Sequence, residues 1–170
     1  MDHSPILPGF STQAVHGGTY HDSETGGACS PVFTSTAFAF PNAVEENFYP
    51  RYFNTPNQQV VCRKIAVLEQ AEGALVFGSG MAAISTLLLA HLQPGDHAVF
   101  QQDLYGGTLQ FITQELLRLG VKVSWATTPE GFAAALRPET RILYVESPSN
   151  PLMRCVDLRA VARLGRDRGL

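Results

Sequence analysis

The distribution of apolar positions changes near residue 57, and from there strand-like and helix-like stretches alternate. Short apolar runs predict strands at residues 74–77, 97–101, 121–126 and 141–146. Apolar positions at helical spacing predict helices at residues 57–71, 81–92, 108–120 and 129–136, and Asp157 is the predicted N-cap of a further helix. Strands that alternate with helices indicate a right-handed, mostly parallel α/β sheet.

Residues 1–56 show little periodicity and are rich in proline and glycine. They predict an extended arm with turns and at most one short helix, near Ser11–His16. An arm of this length lies more often on a partner than on its own domain, so we expect it to reach a neighbouring subunit. Residues 57–170 then form the first part of an α/β domain. A strand is expected after the helix that precedes Leu170, so we expect this domain to be incomplete.

Composition and charge exclude several classes of function. The 170 residues carry a net charge of −3, and no cluster of lysine and arginine stands out, which predicts no nucleic-acid partner. The apolar runs are too short to span a bilayer and the first residues hold no signal core, so we expect no membrane association. Three cysteines without a Cys-x-x-Cys pair are typical of a reducing cytoplasm and argue against a structural zinc site.

Residues 75–85, LVFGSGMAAIS, lead from a predicted strand through two glycines into a predicted helix. The simplest interpretation is a tight turn that binds nothing. The second is a dinucleotide site, since Gly78, Gly80 and Ala83 fit G-x-G-x-x-A and Asp103 follows about 20 residues later. That fingerprint normally follows the first strand of its domain, whereas roughly 70 residues precede it here.

The third interpretation is a site for a single phosphate. The unpaired N–H groups of Gly80 and Met81 would point at the phosphate, with the positive end of the helix dipole behind them. One phosphate beside an organic ring describes pyridoxal 5′-phosphate (PLP). Such a cofactor also needs a stacking partner for its ring, a donor to its ring oxygen and a cation near its phosphate.

Candidates for these roles lie elsewhere in the chain. Tyr105 in DLYGGT follows one strand, and Glu146 and Asn150 in YVESPSNPL follow another, at the carboxyl edge where α/β sheets bind ligands. Tyr49 and Arg51 in YPRYFN would face the same way in an extended segment and suit a phosphate. Each has a plainer explanation as a loop aromatic, a turn or a solvated charge. The five histidines form no metal-binding set, and we treat them as structural or surface residues.

Taken together, these segments resemble the Cys/Met-metabolism family of PLP-dependent enzymes, which includes cystathionine γ-synthase, cystathionine β- and γ-lyases, methionine γ-lyase and O-acetylhomoserine sulfhydrylase. The resemblance runs in order through STQAVHGGTYHDSETGGACSPVFTSTAF, YPRYFN, GSGMAAIS, PGDHAVFQQDLYGGT and ESPSNPL. It implies an aminotransferase-like (fold type I) large domain and a homotetramer built from catalytic dimers. It also implies a small amino-acid substrate, with elimination or replacement at the β- or γ-carbon of sulfur amino acids or O-activated homoserine (transsulfuration).

The resemblance also implies a role for each candidate residue. Gly80 and Met81 correspond to the phosphate-binding amides. Tyr105 corresponds to the tyrosine that stacks on the cofactor ring and takes part in proton or leaving-group chemistry. Asn150 corresponds to the partner of the ring hydroxyl oxygen. Glu146 corresponds to a residue that orients Asn150 and does not itself contact the cofactor.

Two further residues and two departures complete the comparison with the family pattern. Tyr49 and Arg51 correspond to the pair that reaches the phosphate of the neighbouring subunit. The family usually has proline before threonine where this chain has Thr55-Pro56, so the start of the next helix is expected to differ slightly. Gly107 stands where the methionine γ-lyase branch often has cysteine, which weighs mildly against that branch.

The lysine that forms a Schiff base with PLP in this family has no counterpart in these motifs. The chain has only Lys64, expected on the solvent side of a helix, and Lys122, expected at the sheet edge opposite the cofactor. We therefore expect the reactive lysine, and the aspartate that holds the pyridine nitrogen, to follow Leu170, and the chain alone to be inactive. The alternatives are a dinucleotide-dependent oxidoreductase domain and a non-catalytic α/β fragment.

Overall fold

The computed structural model describes residues 9–39 and 47–170. The described residues form two compact units, one up to Phe77 and the other from Gly78. In these two ranges, no helix is both long and apolar enough to cross a membrane.

The first unit contains helix α1 (Phe10–His16), a 3-10 turn (Pro50–Tyr52) and helix α2 (Pro56–Glu69), so the helices predicted near 11–16 and at 57–71 are confirmed. Lys64 of α2 holds the end of α1, because its ammonium donates to the carbonyl oxygens of Val15 and Gly17 and to Thr19 Oγ1, each at 3.2 Å. The expectation that Lys64 is solvated is therefore wrong. Carbonyls at a helix C-terminus attract a cation, and Lys64 lies within reach of them.

Two more contacts bind the N-terminal segment to α2. The side chain of Asn57 accepts from the N–H of Phe33 at 2.9 Å and donates to its carbonyl oxygen at 2.6 Å. Gly18 lies directly against α2, with φ at +66°. A Cβ there would come within 2.6 Å of the Arg63 carbonyl carbon, so only glycine fits this crossing.

The order Thr55-Pro56 suits the start of α2. Thr55 is the N-cap and Pro56 the first helical residue, a position where the missing N–H of proline costs no hydrogen bond. Gln58 Oε1 accepts from the Thr55 N–H at 3.2 Å and from its hydroxyl at 2.7 Å. The exchange of the two residues relative to the family pattern thus leaves a capped helix.

The second unit is a three-stranded parallel sheet with helices on both faces. Its strands are β1 (His97–Gln101), β2 (Lys122–Ala126) and β3 (Thr140–Tyr144), in the order β2-β1-β3. Its helices are α3 (Gly80–His91), α4 (Gly106–Phe111), α5 (Pro129–Ala135) and α6 (Leu158–Asp167). The predicted parallel α/β architecture is confirmed, and the Asp157 carboxylate caps α6 through the N–H of Ala160 at 3.0 Å.

Alternate residues of β1 face two separate apolar clusters. Ala98 and Phe100 pack with Leu88 of α3 and with Ile112 and Leu116. Val99 points to the other face, where it packs with Phe132 of α5 and Val161 of α6. All five residues of β1 are buried, as expected for the central strand of a parallel sheet covered on both faces.

The helix predicted at 108–120 changes its winding part-way. After α4 the chain continues as a π-helical segment over Ile112–Leu116. The N–H of Leu117 bonds to the carbonyl oxygen of Ile112 at 3.2 Å, five residues back. The helical stretch ends at Gly120, whose φ is +83°, as the sequence predicts.

The predicted strand at residues 74–77 is wrong. These residues have no strand conformation, and Leu75 is 78% exposed. A strand needs a neighbour for its N–H and C=O groups, and none of β1, β2 and β3 pairs with this segment. An apolar run alone does not supply that neighbour.

His97 joins all three strands at their amino ends. Its imidazole is buried, with Nδ1 2.8 Å from Thr140 Oγ1 of β3 and Nε2 2.9 Å from Ser124 Oγ of β2. This histidine has a structural role, as the sequence suggested.

Candidate functional site

The carboxyl ends of β1 and β3 are tied together by a buried glutamine. Gln101, the last residue of β1, is 2% exposed. Its Oε1 accepts from the N–H of Glu146 at 3.2 Å, and its Nε2 donates to the carbonyl oxygen of Asp103 at 3.0 Å. The loops that follow the two strands are therefore held side by side.

The carboxylate of Glu146 is the centre of a polar cluster at this edge. Its Oε2 accepts from the backbone N–H of Tyr105 at 2.8 Å. Its Oε1 accepts from Thr108 Oγ1 at 2.8 Å and from the Tyr144 hydroxyl at 3.0 Å. Burial, and then the Glu146 charge, raise the pKa of the Tyr144 hydroxyl, so this group stays protonated and donates. Glu146 thus fixes the loop that carries Tyr105.

The glycine turn opens α3 as predicted. Ser79 is the N-cap, and its Oγ accepts from the Ala82 N–H at 3.1 Å. The N–H groups of Gly80 and Met81 precede that bond and have no partner among the described residues. A Cβ added at Gly78 or Gly80 would meet nothing within 4 Å, so there is open space beside these amides.

The glycine turn and the Tyr105 loop meet at the side chain of Met81. Thr108 Oγ1 lies 3.9 Å from Met81 Sδ. A Cβ added at Gly107 would lie 3.2 Å from the same sulfur and 2.6 Å from Cε1 of Tyr105. The sequence-predicted residues Met81, Tyr105 and Glu146 therefore belong to one cluster, and Tyr105 keeps 48% of its surface exposed.

Asn150 lies in a turn at the same edge, after β3. The turn is closed by buried Ser149, whose N–H donates to the carbonyl oxygen of Arg154 at 2.9 Å and whose Oγ accepts from the Arg154 N–H at 3.1 Å. The Arg154 guanidinium binds the Asp103 carboxylate at 2.9 Å, which ties the turn to the loop after β1. The Asn150 side chain is exposed.

Tyr49 and Arg51 belong to the first unit and do not lie in one extended segment. Pro50 starts a 3-10 turn that includes Arg51, because proline fixes φ near the helical value. Asn54 stabilises the turn by accepting from the Tyr49 N–H at 2.9 Å and donating to the Asn47 carbonyl oxygen at 2.7 Å. Tyr49 and Arg51 are therefore presented by a compact turn.

Sequence reasoning missed four residues that organise the cluster, namely Gln101, Thr108, Tyr144 and Arg154. Two had a local signal. Thr108 follows Tyr105 by three residues at a helix start, and Tyr144 precedes Glu146 by two along an extended segment, which places both on one side. Gln101 bonds to Glu146 and Arg154 pairs with Asp103, in both cases with a residue distant in sequence. No neighbouring residue in the sequence indicates these contacts.

A family model described as Cys/Met metabolism PLP-dependent enzyme matches residues 11–170. The chain belongs to this family. The match spans both units, and it favours the phosphate interpretation of the glycine turn over the dinucleotide one. Asp103, the acidic residue of the dinucleotide interpretation, is paired with Arg154.

Similar proteins of this family come from several bacteria. A probable cystathionine gamma-synthase of Herpetosiphon aurantiacus is 33% identical over 95% of this chain and 51% of its own length. An L-methionine gamma-lyase of Pseudomonas putida is 36% identical, and the match covers 99% of this chain and 45% of the length of that enzyme. The crystal structure of cystathionine gamma-lyase from Lactobacillus plantarum complexed with L-serine covers 96% of this chain and 43% of its own, with a TM-score of 0.86 and 31% identity. The chain spans about half the length of the curated relatives it matches.

The residues of the second unit fit the cofactor of this family. Two unpaired N–H groups at the start of a 12-residue helix suit a phosphate. The open space beside Gly78 and Gly80 leaves room for it, and the half-exposed ring of Tyr105 suits stacking on a heteroaromatic ring.

Proposed function

We propose that this chain supplies the phosphate turn and the ring-stacking face of a PLP site in an enzyme of transsulfuration. The complete protein eliminates or replaces a substituent at the β- or γ-carbon of a sulfur amino acid or of an O-activated homoserine. The observation that carries the proposal is the convergence of Met81, the Tyr105 loop and Glu146 at one edge of the sheet. Parallel sheets bind ligands at this edge.

We assign to each residue the role that the family resemblance implies. The N–H groups of Gly80 and Met81 bind the phosphate, and Asn150 donates to the ring oxygen of the cofactor. Tyr105 stacks on the ring, and its hydroxyl moves a proton at the substrate. Glu146 holds the Tyr105 loop in place through the Tyr105 N–H. PLP, when bound, supplies electron withdrawal from the α-carbon of the amino acid.

The second part of the proposal concerns a neighbouring subunit. Tyr49 and Arg51 reach the phosphate bound by another copy of the chain, and residues 1–56 form the arm that carries them. Large apolar side chains on the first unit favour such a partner, since Phe10, Val32 and Tyr52 are each more than two-thirds exposed. A dimer of dimers in the cytoplasm is the assembly that we propose for the complete protein.

The third part is that the chain alone does not turn over substrate. Covalent PLP chemistry needs a free amine fixed against the cofactor. Both lysines of the chain are engaged elsewhere, because Lys64 binds three oxygens of the first unit and Lys122 pairs with Glu139 at 2.9 Å. Lys122 is also the first residue of β2, at the amino end of the strand. The reactive lysine therefore belongs to another part of the protein.

Phosphate recognition is tested with pyridoxine 5′-phosphate, which has no aldehyde and binds without a lysine. Calorimetry should show binding of this compound and at least about tenfold weaker binding of pyridoxine, which lacks the phosphate. Gly80→Val should abolish the difference by filling the space beside the amides. Gly73→Val is the matched control, because a Cβ at Gly73 also meets nothing within 4 Å. Equal affinity for the two compounds in the unmodified chain rules the proposal out.

The lysine assignment has its own test. The chain is mixed with PLP, reduced with borohydride and mapped by mass spectrometry. We expect no stoichiometric adduct at Lys64 or Lys122 and no conversion of cystathionine or O-acetylhomoserine. A single specific adduct together with turnover contradicts the third part of the proposal.

A further inference from the structure

Two adjacent glycines begin α4, and their surroundings differ. A Cβ added at Gly106 would meet nothing within 4 Å, whereas one added at Gly107 would lie 2.6 Å from Cε1 and 3.3 Å from Cδ1 of Tyr105. It would also lie 3.2 Å from the sulfur of Met81. The Tyr105 ring therefore occupies the space that a side chain at position 107 would need.

Backbone conformation does not explain glycine at position 107. Neither Gly106 nor Gly107 has a φ in the left-handed region. Both lie in the first turn of α4, where most residues are accepted. What distinguishes Gly107 is the ring packed against it.

We infer that Gly107 is a positioning residue for Tyr105, because the missing side chain lets the ring lie against the backbone beside Met81. The inference rests on the proposed function, in which this ring stacks on the cofactor whose phosphate lies at the Gly80 and Met81 amides. In this chain, a Cβ at position 107 would push the ring edge away from its present place against the backbone beside Met81.

The ring moves in such a variant while the fold stays intact. Non-bonded carbon atoms approach to about 3.5 Å, so a Cβ 2.6 Å from Cε1 forces a displacement. The clashing atoms belong to the end of a half-exposed tyrosine and to a flexible methionine. These side chains yield more easily than the backbone. Thr108, which bonds to Glu146 at 2.8 Å, keeps the start of α4 in place.

The experiment compares Gly107→Ala with Gly106→Ala in the full chain, labelled at its methionine methyl groups with ¹³C. The chain has three methionines, and Met81→Leu identifies the resonance of Met81. We expect contacts between the Met81 methyl and the Tyr105 ring in nuclear Overhauser spectra of the unmodified chain and of Gly106→Ala. In Gly107→Ala these contacts should weaken and the Met81 resonance should shift. An unchanged spectrum for Gly107→Ala, or an equal change in Gly106→Ala, overturns the inference.

Ligand affinity supplies the second readout. Gly107→Ala should lower the affinity for pyridoxine 5′-phosphate about three- to tenfold, which is the scale of one aromatic contact. The affinity for inorganic phosphate should stay unchanged. General damage to the fold would lower both affinities. In a Tyr105→Ala background, Gly107→Ala should have no further effect, because no ring is left to displace; an added loss there counts against the inference.

Failure of the proposed function is recognised separately. If the unmodified chain binds neither pyridoxine 5′-phosphate nor inorganic phosphate, the phosphate turn is wrong. The methyl spectra then still report whether Gly107 sets the position of the Tyr105 ring.

Discussion

Glu146 accepts a hydrogen bond from the backbone N–H of Tyr105 at 2.8 Å, although 41 residues separate them in sequence. The same carboxylate also accepts from Thr108 and Tyr144. One acidic side chain after β3 therefore determines where the loop after β1 presents its tyrosine.

Glu146→Gln should destabilise the second unit by about 1–3 kcal/mol. Two donors face one carboxylate oxygen and a third faces the other, so an amide NH2 in either place leaves a donor without an acceptor. Urea unfolding followed by the fluorescence of Trp125, the single tryptophan, measures the loss. Amide exchange at Tyr105 should also become faster.

The control for this variant is Glu115→Gln. Glu115 pairs with Arg118 at 2.7 Å, but both side chains are largely exposed. Such a surface pair is worth at most about 1 kcal/mol. If the two variants lose the same free energy of unfolding, the hydrogen bonds of Glu146 stabilise the unit no more than a surface ion pair does.

Arg51→Ala should weaken the retention of pyridoxine 5′-phosphate by an assembled oligomer by about 1.5–3 kcal/mol, the scale of a charge-assisted hydrogen bond. If Arg51 acts on the site of a neighbour, mixing Arg51→Ala chains with Gly80→Val chains should restore binding. A hybrid dimer then carries one site with both lesions and one with neither, so about a quarter of all sites recover. Mixtures that bind no better than either variant alone would place Arg51 at the site of its own chain.

Gly18→Ala should loosen α1 from α2, whereas Gly26→Ala should not. Both glycines have a positive φ, +66° and +67°, so both substitutions carry a backbone cost of about 1 kcal/mol or more. Only Gly18 adds a clash with the backbone of α2, at 2.6 Å from Lys64 N, which costs roughly 1–3 kcal/mol more. Hydrogen exchange of residues 10–19 distinguishes the two, and similar protection in both variants would count against a tight crossing.

The stability of the second unit should fall as the pH drops below about 6.5. Burial, and then the positive charge of Arg137, lower the pKa of His97 from its ordinary value of 6.5; Lys122 acts in the same direction and Glu139 opposes them. The unfolded chain therefore takes up this proton at a higher pH than the folded chain. Acidification shifts the equilibrium toward the unfolded state for this reason. The contribution of neutral His97 is complete above pH 6.5 and is lost as the pH falls through the lowered pKa.

The His97→Gln variant isolates this effect from the other histidines. Its free energy of unfolding, measured in urea from pH 8 to pH 5, should depend less steeply on pH than that of the unmodified chain. The difference in slope is at most about 1.4 kcal/mol per pH unit for one proton. Parallel curves for the two proteins would show that His97 does not titrate differently on unfolding.

Elements with a complete local signal could be predicted from the sequence. β1 was predicted at residues 97–101 and lies there, because an apolar run after a Pro-Gly turn specifies both its type and its start. The cap at Asp157 is equally local. Residues 74–77 carried the same apolar signal and form no strand, because pairing depends on a neighbour that is distant in sequence. Local pattern therefore predicts the tendency to form a strand but not its partner.

The candidate site shows the same limit. The sequence pointed to Met81, Tyr105 and Glu146 individually, since each follows a predicted strand or opens a helix. It did not show that the side chain of Glu146 binds the Tyr105 loop. It also did not show the conformation around Tyr49 and Arg51, where Pro50 starts a 3-10 turn between them.

The π-helical segment after α4 gives the chain a tolerance to deletion. In a buried α-helix, removing one residue rotates everything downstream by about 100° and turns apolar side chains toward water. Here the turn from Ile112 to Leu117 already holds one residue more than an α-helical turn. Loss of an exposed residue within it, such as Gln114, would restore regular winding and keep Ile112 and Leu116 on the apolar face. Among the helices of the second unit, we expect this segment to accept a one-residue deletion with the least disturbance of the core.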